Sequence, residues 1–410
     1  MTQHLTAKQA ADALGVTRST LYAYASRGQV RSEAVPGRPR ERRYSREDLQ
    51  RLLDRKDARR DPATAAAKGL HWGGPVLESG ITLIHDGRLY YRGHDAVRLA
   101  ETATLEDVAL VLWAAEGREG DRLFEQRCAM TDRQLTRLRA CSKDPYALMQ
   151  AALAIASRLD LSSYDLRPAG VRLTGARILR LLTATIAPRD LRAPLHRALQ
   201  RTWAPRRAEV GDVIRTALVL CADHELNVSA FTARCAASAG ASPYDVVSAA
   251  MATLKGYKHG GAGERVLTML SASDTLRHGR AHIAARLRRG ENVPGFGHPL
   301  YPSGDPRAVL LMRLADASGH DGACRAIRHL RRSGSELLHE LPNLDFGLAA
   351  ITRAYRLPDQ APVLLFALGR TIGWIAHAIE EYAAGQLIRP RARYAGPMPV
   401  ADDIPPPQER

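Results

Sequence analysis

Hydrophobic positions along most of this chain recur three and four residues apart, the period of a helix with one buried face. The opening segment LTAKQAADALGVTRSTLYAYASRG puts Ala7, Ala10, Ala11 and Leu14 on one such face, with Thr6 and Gln9 spaced as a capping box and Gly15 as a stop. Thr17 caps a second predicted helix that runs to about Ala25 and is closed by Gly28, so two short helices flank a tight Gly-containing turn. The next stretch, RSEAVPGRPRERRYSREDLQRLLDRK, is rich in Pro, Gly and Arg and then turns helical after a cap at Ser45. It predicts a basic loop or wing followed by a third helix.

DPATAAAK, starting at Asp61, is small, polar and turn-prone, which predicts a linker over residues 61–74. Beyond it, ESGITLIHDGRLYYRGHDA alternates with period two around Asp86-Gly87, the pattern of a hairpin. From Ala100 the helical period is almost unbroken, with stops expected at Pro145, Pro188, Pro205, Pro243 and a Gly/Pro-rich stretch near 294–306. The end, ADDIPPPQER over 397–410 with its preceding residues, reads as a loose tail. The fold class expected is mainly α, with a small module, 1–60, ahead of a larger unit.

Composition strengthens this picture. Of 410 residues, 45% are hydrophobic and only 5% aromatic, enough for a sizeable core but poor in strand formers. The net charge of +16 points to anionic partners, whether nucleic acid, acidic membrane or a ligand with phosphates and carboxylates. Five scattered cysteines without CxxC spacing fit a reduced, cytoplasmic protein. MTQHLTAKQA lacks a basic segment followed by an apolar one, and no run of 18 apolar residues occurs, so neither secretion nor membrane spanning is expected.

Three histidine segments stand out from the helical background: CADHELNVSAFTAR around His224, LKGYKHGGAGERV around His259, and VPGFGHPLYPSGDPRA around His298. Glycines beside His259 and His298 remove bulk, so imidazole and backbone can approach a ligand. LPNLDFGLAA offers Asp345 as a carboxylate base. Arg307, Arg370 and Arg389 are far apart in sequence, yet each guanidinium suits bidentate carboxylate binding. No HExxH, GxSxG, P-loop or post-strand GxGxxG is present, which argues against zinc protease, serine hydrolase, NTPase and Rossmann dehydrogenase classes.

ADALGVTRSTLYAY, SRGQVRS and RERRYSREDL resemble the winged helix-turn-helix of mercury-regulator and excisionase type. The resemblance implies that Arg18, Ser19 and Tyr22 face a DNA groove while Arg38, Arg40, Arg42 and Arg43 meet phosphates of a duplex. HELN, HGGAGE, GFGHPLY with DPRA, PNLDF, GRTIGWIAH and RPR, in this order over about 75–396, resemble citrate synthase. That family's roles put His224 and His298 on oxaloacetate, His298 polarising its ketone; His259 on the acyl-CoA carbonyl; Asp345 as the base; and Arg307, Arg370 and Arg389 on carboxylates. The resemblance further implies a large helical domain, 75–239 and 341–396, a small one, 240–340, and a homodimer in which Arg389 reaches the partner's site. Lys258, Arg288 and Arg289 are candidate contacts to the phosphates of CoA. Acetyl-CoA or propionyl-CoA serves as co-substrate, with no metal or redox cofactor.

Three departures surround the matching residues. Lys258 and Gly263 flank His259 where the family usually reads GPLHGGANE, FGLAA follows Asp345, and Pro299 follows His298 where Arg is common. The helix-turn-helix is the larger departure. It admits a second function, a transcriptional regulator that uses the enzyme-like domain as a sensor of acyl-CoA or oxaloacetate. Retention of Asp345 favours the enzyme, because a sensor has no need of a base.

Overall fold

Short-range capping decides where the first helices begin and end. In the computed structural model, which describes residues 4–35, 38–46, 48–49, 52–53, 77–115, 123–188, 193–273, 276–392 and 394–398, α1 spans Ala7–Leu14 and α2 Arg18–Ser26. Thr6 Oγ1 accepts from the Gln9 N–H at 3.4 Å while Gln9 Oε1 accepts from the Thr6 N–H at 3.1 Å, closing the capping box. Gly15 ends α1 at φ 60°, a left-handed conformation that favours glycine, and Thr17 caps α2.

Of the two readings of the arginine-rich segment, loop or wing, the structure has the wing. β1 (His4–Thr6), β2 (Ser32–Val35) and β3 (Arg38–Ser45) form an antiparallel sheet in the order β1-β3-β2, with Leu5 opposite Tyr44 and Glu33 opposite Arg43. Tyr44 of β3 enters a core of Ala10, Leu14, Leu21, Val30 and Leu49 while Arg42 and Arg43 stay exposed. Residues 46, 48, 49, 52 and 53 are helical, and Asp48 receives the Arg31 Nε–H at 2.8 Å. The rest of the expected third helix and the expected linker lie outside the described residues.

The chain divides into two units, Met1–Glu78 and Ser79–Arg410. The second opens with a hairpin of β4 (Thr82–His85) and β5 (Arg88–Tyr91), to which β6 (His94–Asp95) adds. Asp86 and Gly87 both have positive φ, 48° and 72°, as the twist of a two-residue turn requires. The helices follow: α3 (Ala96–Thr102), α4 (Leu105–Leu112), α5 (Asp132–Cys141), α6 (Pro145–Leu159), α7 (Pro168–Ile186), α8 (Leu195–Trp203), α9 (Val210–Leu220), α10 (Val228–Ser238), α11 (Pro243–Leu254) and α12 (Ala262–Ser271). They continue with α13 (Leu276–Arg288), α14 (Pro306–Asp316), α15 (Asp321–Leu338), α16 (Leu344–Tyr355) and α17 (Ala361–Ala384).

Pro145 and Pro243 start helices instead of stopping them, because the first helical residue needs no N–H donor. The long apolar α17 lies at the centre, packed on α7, α9, α10 and α11. It is long and apolar enough to cross a membrane by length and composition, yet 94% of its most apolar window is buried within this unit, the signature of a core helix.

Candidate active site

The approach of α17 to the end of α9 shapes the turn that carries His224. A side chain at Gly369 would lie 2.4 Å from the Leu218 carbonyl oxygen, and one at Gly373 would lie 2.4 Å from that of Ala222, so only glycine allows this contact. From between them Arg370 donates Nε–H to the Cys221 carbonyl at 2.7 Å. Glu225 is held at φ 49°, left-handed for a residue with a side chain, and Asn227 closes the turn by capping α10. His224 emerges from this clamped turn with Nε2 3.0 Å from the Tyr301 hydroxyl.

His298 sits on a loop tied to the start of α16. The Gly297 N–H bonds the Leu341 carbonyl at 2.8 Å, the Asn343 N–H bonds the Gly295 carbonyl at 2.9 Å, and the Asn343 amide donates to the Gly297 carbonyl at 3.0 Å. Asn343 Oδ1 also accepts from the Asp345 N–H at 3.1 Å, so one side chain fixes both the histidine loop and the helix bearing Asp345. The His224 and His298 rings meet edge to face with centroids 4.9 Å apart. Leu300 N–H points at His298 Nδ1 at 3.2 Å, which leaves the proton of the neutral ring on Nε2.

The three imidazoles are neutral at pH 7. Burial, reinforced by Arg307 and Arg370, pushes His224 well below its ordinary value; burial takes His259 and His298 down to about 4. Each can then donate one hydrogen bond and accept another. For Asp345 burial dominates in the other direction, raising the carboxyl to about 7 against the pull of Arg307 and Arg370. Its Oδ1 is buried without a hydrogen-bond partner among the described residues. A side chain on Gly263, four residues past His259, would come within 3.8 Å of that oxygen.

The two buried arginines differ in what already holds them. Arg307 makes a fork with Asp305, Nε to Oδ1 at 2.9 Å and Nη2 to Oδ2 at 2.8 Å, leaving the other edge of its guanidinium for a second anion. Arg370 is only 1% exposed and has the Cys221 carbonyl and the Phe366 ring, 4.8 Å away, but no carboxylate in its ion-pairing range among the described residues. The buried Asp223 carboxylate attracts it from beyond that range, so a ligand carboxylate would be its first direct ion-pair partner. His259 packs edge to face against the same Phe366 ring at 5.7 Å.

Sequence reasoning missed Ser229. Its hydroxyl lies 2.9 Å from His259 Nε2 and 2.7 Å from Asn227 Oδ1, and it accepts the Trp374 indole N–H at 3.2 Å. The serine has one proton: directed to Asn227 Oδ1, it makes His259 Nε2 the donor, and directed to Nε2, it puts the neutral ring's own proton on Nδ1, from which the ring can donate. Asp305 and Tyr301 were also unassigned, although both stand inside the GHPLYPSGDPRA segment. For Ser229 the only sequence signal was its place two residues after the helix-capping Asn227.

The remaining candidates are exposed. Arg389 follows α17 outside the cluster just described, Lys258 has its ammonium 5.8 Å from the neighbouring Tyr257 ring, and Arg288 ends α13. Arg289 is exposed too, with its guanidinium already on Glu291 at 2.5 Å. In the first unit Arg18, Ser19 and Tyr22 are exposed on α2 and Arg42 and Arg43 on β3; Arg38 and Arg40 belong to β3, but their side chains lie outside the described residues.

Comparison with known proteins gives two families. Residues 69–391 match the family described as citrate synthase, C-terminal domain, and residues 5–57 match a helix-turn-helix domain. The chain is 30% identical to citrate synthase 2 of Bacillus subtilis over 361 residues, covering 81% of this chain and 96% of that protein. It is 31% identical to 2-methylcitrate synthase of Mycobacterium tuberculosis, covering 75% and 84%. Among solved structures, citrate synthase of Thermotoga maritima superposes with a TM-score of 0.69 at 26% identity, covering 80% of this chain and 95% of that one.

Proposed function

This chain belongs to the citrate synthase family, transferases that condense an acyl-CoA with oxaloacetate, and we propose that it does so by enolising the donor between Asp345 and His259. The observation that carries this reading is a buried guanidinium, Arg370, with no carboxylate in ion-pairing range among the described residues, together with a buried Asp345 oxygen that has no donor among them. A dianionic oxo acid supplies the missing anion, and a carbon acid supplies the missing proton.

Oxaloacetate binds with its carboxylates on Arg370 and the open edge of Arg307, His224 alongside, and its ketone oxygen on the Nε2–H of His298. Asp345 takes the α-proton of the acyl thioester, and the electrons of that C–H bond form the enol double bond. His259, with its proton on Nδ1, stabilises the thioester oxygen as charge builds there, an effect worth about 3–4 kcal/mol in comparable oxyanion sites. The enol carbon attacks the ketone carbon, the new alkoxide takes the proton of His298, and water hydrolyses the thioester to free CoA. No cofactor is called for beyond the acyl-CoA co-substrate.

Purified protein is expected to release thiol from acetyl-CoA or propionyl-CoA only when oxaloacetate is present. Silence with both donors, from folded protein, would leave the reading of a ligand-sensing regulator.

For the first unit the reading is duplex DNA binding, supported by Arg18 and Tyr22 standing exposed on α2 and Arg42 and Arg43 on the neighbouring strand. A homodimer is supported by a cluster of exposed apolar side chains, Ile155, Leu159, Leu161 and Tyr164, around the end of α6. Five free thiols suit the reducing cytoplasm. Sedimentation of the full chain with a labelled duplex checks both points. A dimer should carry the duplex at low salt and lose it between about 50 and 200 mM salt. The triple variant Arg18→Ala, Arg42→Ala, Arg43→Ala should remain a dimer that no longer carries it. A monomeric mass, or equal binding by the variant, would count against the respective reading.

A further inference from the structure

A second buried polar chain runs behind the substrate-facing side of α17. His377 and Asp223 are fully buried, Arg234 is 3% exposed and Glu381 4%. Arg234 donates Nε–H to His377 Nδ1 at 3.0 Å and Nη1–H to Glu381 at 3.1 Å, and a third contact reaches Glu380. A guanidinium has no acceptor, so Nδ1 must present its lone pair and the His377 proton must sit on Nε2. That nitrogen faces Asp223 Oδ1 at 3.3 Å, while the other Asp223 oxygen takes the Thr82 hydroxyl at 2.6 Å. Asp223 immediately precedes His224, and its carbonyl also receives the Tyr91 hydroxyl at 3.3 Å.

Packing alone does not call for these groups. Replacing such buried ionic chains with hydrophobic residues is often neutral or stabilising. What they do is immobilise a turn under strain, since Glu225 next to His224 is held at φ 49°. From the Arg234–His377–Asp223 chain we infer that His377 is a positioning residue for oxo-acid binding, holding the Asp223 carboxylate so that the turn presents His224 to the ligand. It touches no substrate itself, and the inference rests on the oxaloacetate reading above.

The test is calorimetric titration of the full chain with oxaloacetate, with steady-state constants measured beside it. His377→Leu should weaken oxaloacetate binding about tenfold or more while the KM for acyl-CoA stays within about twofold, the loss of one close contact to a buried charged group near a single subsite. His377→Gln, which keeps an N–H donor and an acceptor, should recover most of that loss. Thr82→Val, at the edge of the chain, should give a smaller shift in the same direction, and it serves as the measure should the leucine variant not fold. Equal oxaloacetate affinity in the folded leucine or Thr82→Val variants, or parallel loss for both substrates, overturns the inference alone. If the unaltered chain fails to bind oxaloacetate, the proposed function falls and takes this inference with it.

Discussion

Asp345→Asn should lower condensation by about 10³–10⁴-fold, leave oxaloacetate binding nearly intact, and make the protein more stable at pH 8. The three effects share one cause. In the folded chain burial raises this carboxyl to about 7 from an ordinary 3.8, so the fold favours the protonated acid. Stability from this group is therefore greatest below pH about 4 and is lost as pH rises through 7. Above both values the ionised side chain costs up to about 4 kcal/mol, which an uncharged amide of the same shape does not incur. The stability gap between variant and unaltered protein should widen from pH 5 to pH 8.

Activity has the opposite slope. A base with its proton on cannot take another, so kcat/KM should rise about tenfold per pH unit below 7 and level off above it. Denaturant unfolding at pH 5 and 8, alongside the pH–rate profile, separates these claims. A variant that loses stability at pH 8, or that retains activity within about tenfold, would show that Asp345 is not the buried base.

Arg370→Met should raise the dissociation constant for oxaloacetate by about 10²–10³, the usual cost of removing one partner from a buried charged pair. Arg370→Lys should not rescue it, because lysine has neither the planar fork for a carboxylate nor the Nε–H that holds the Cys221 carbonyl at 2.7 Å. Thermal shift gives an independent reading. At about 100 times the dissociation constant, oxaloacetate adds about 2.7 kcal/mol to the unaltered protein, and the same concentration should add little to the variant. Binding within about threefold of the unaltered protein would mean that the buried guanidinium serves the fold and not the ligand.

Much of the architecture was legible from the one-dimensional pattern. Helix starts at Thr6 and Thr17, the hairpin at Asp86-Gly87 and the mainly helical second unit follow from caps, turn conformations and period, all of which act within a few residues. The open and mistaken readings were local ambiguities. RERRYS was open between loop and wing because arginine has no strong strand preference, and pairing with Leu5 and Glu33 on either side makes it a wing strand. Pro145 and Pro243 looked like stops because proline both ends and begins helices, depending on which side the hydrogen-bonded turns lie.

The candidate chemistry was legible as residue types: imidazoles beside glycines, a carboxylate after Pro-Asn, and separated guanidiniums. The sequence by itself thus determined which side chains were available and the local backbone that displays each of them. Only the tertiary structure decided their charges and their neighbours. Whether Asp345 sits near 4 or near 7, and whether Arg370 finds a direct carboxylate partner, depends on water excluded by helices distant along the chain. Ser229 and His377 entered the picture for the same reason, since the groups they face, His259 and Asp223, are neighbours in space and not along the chain.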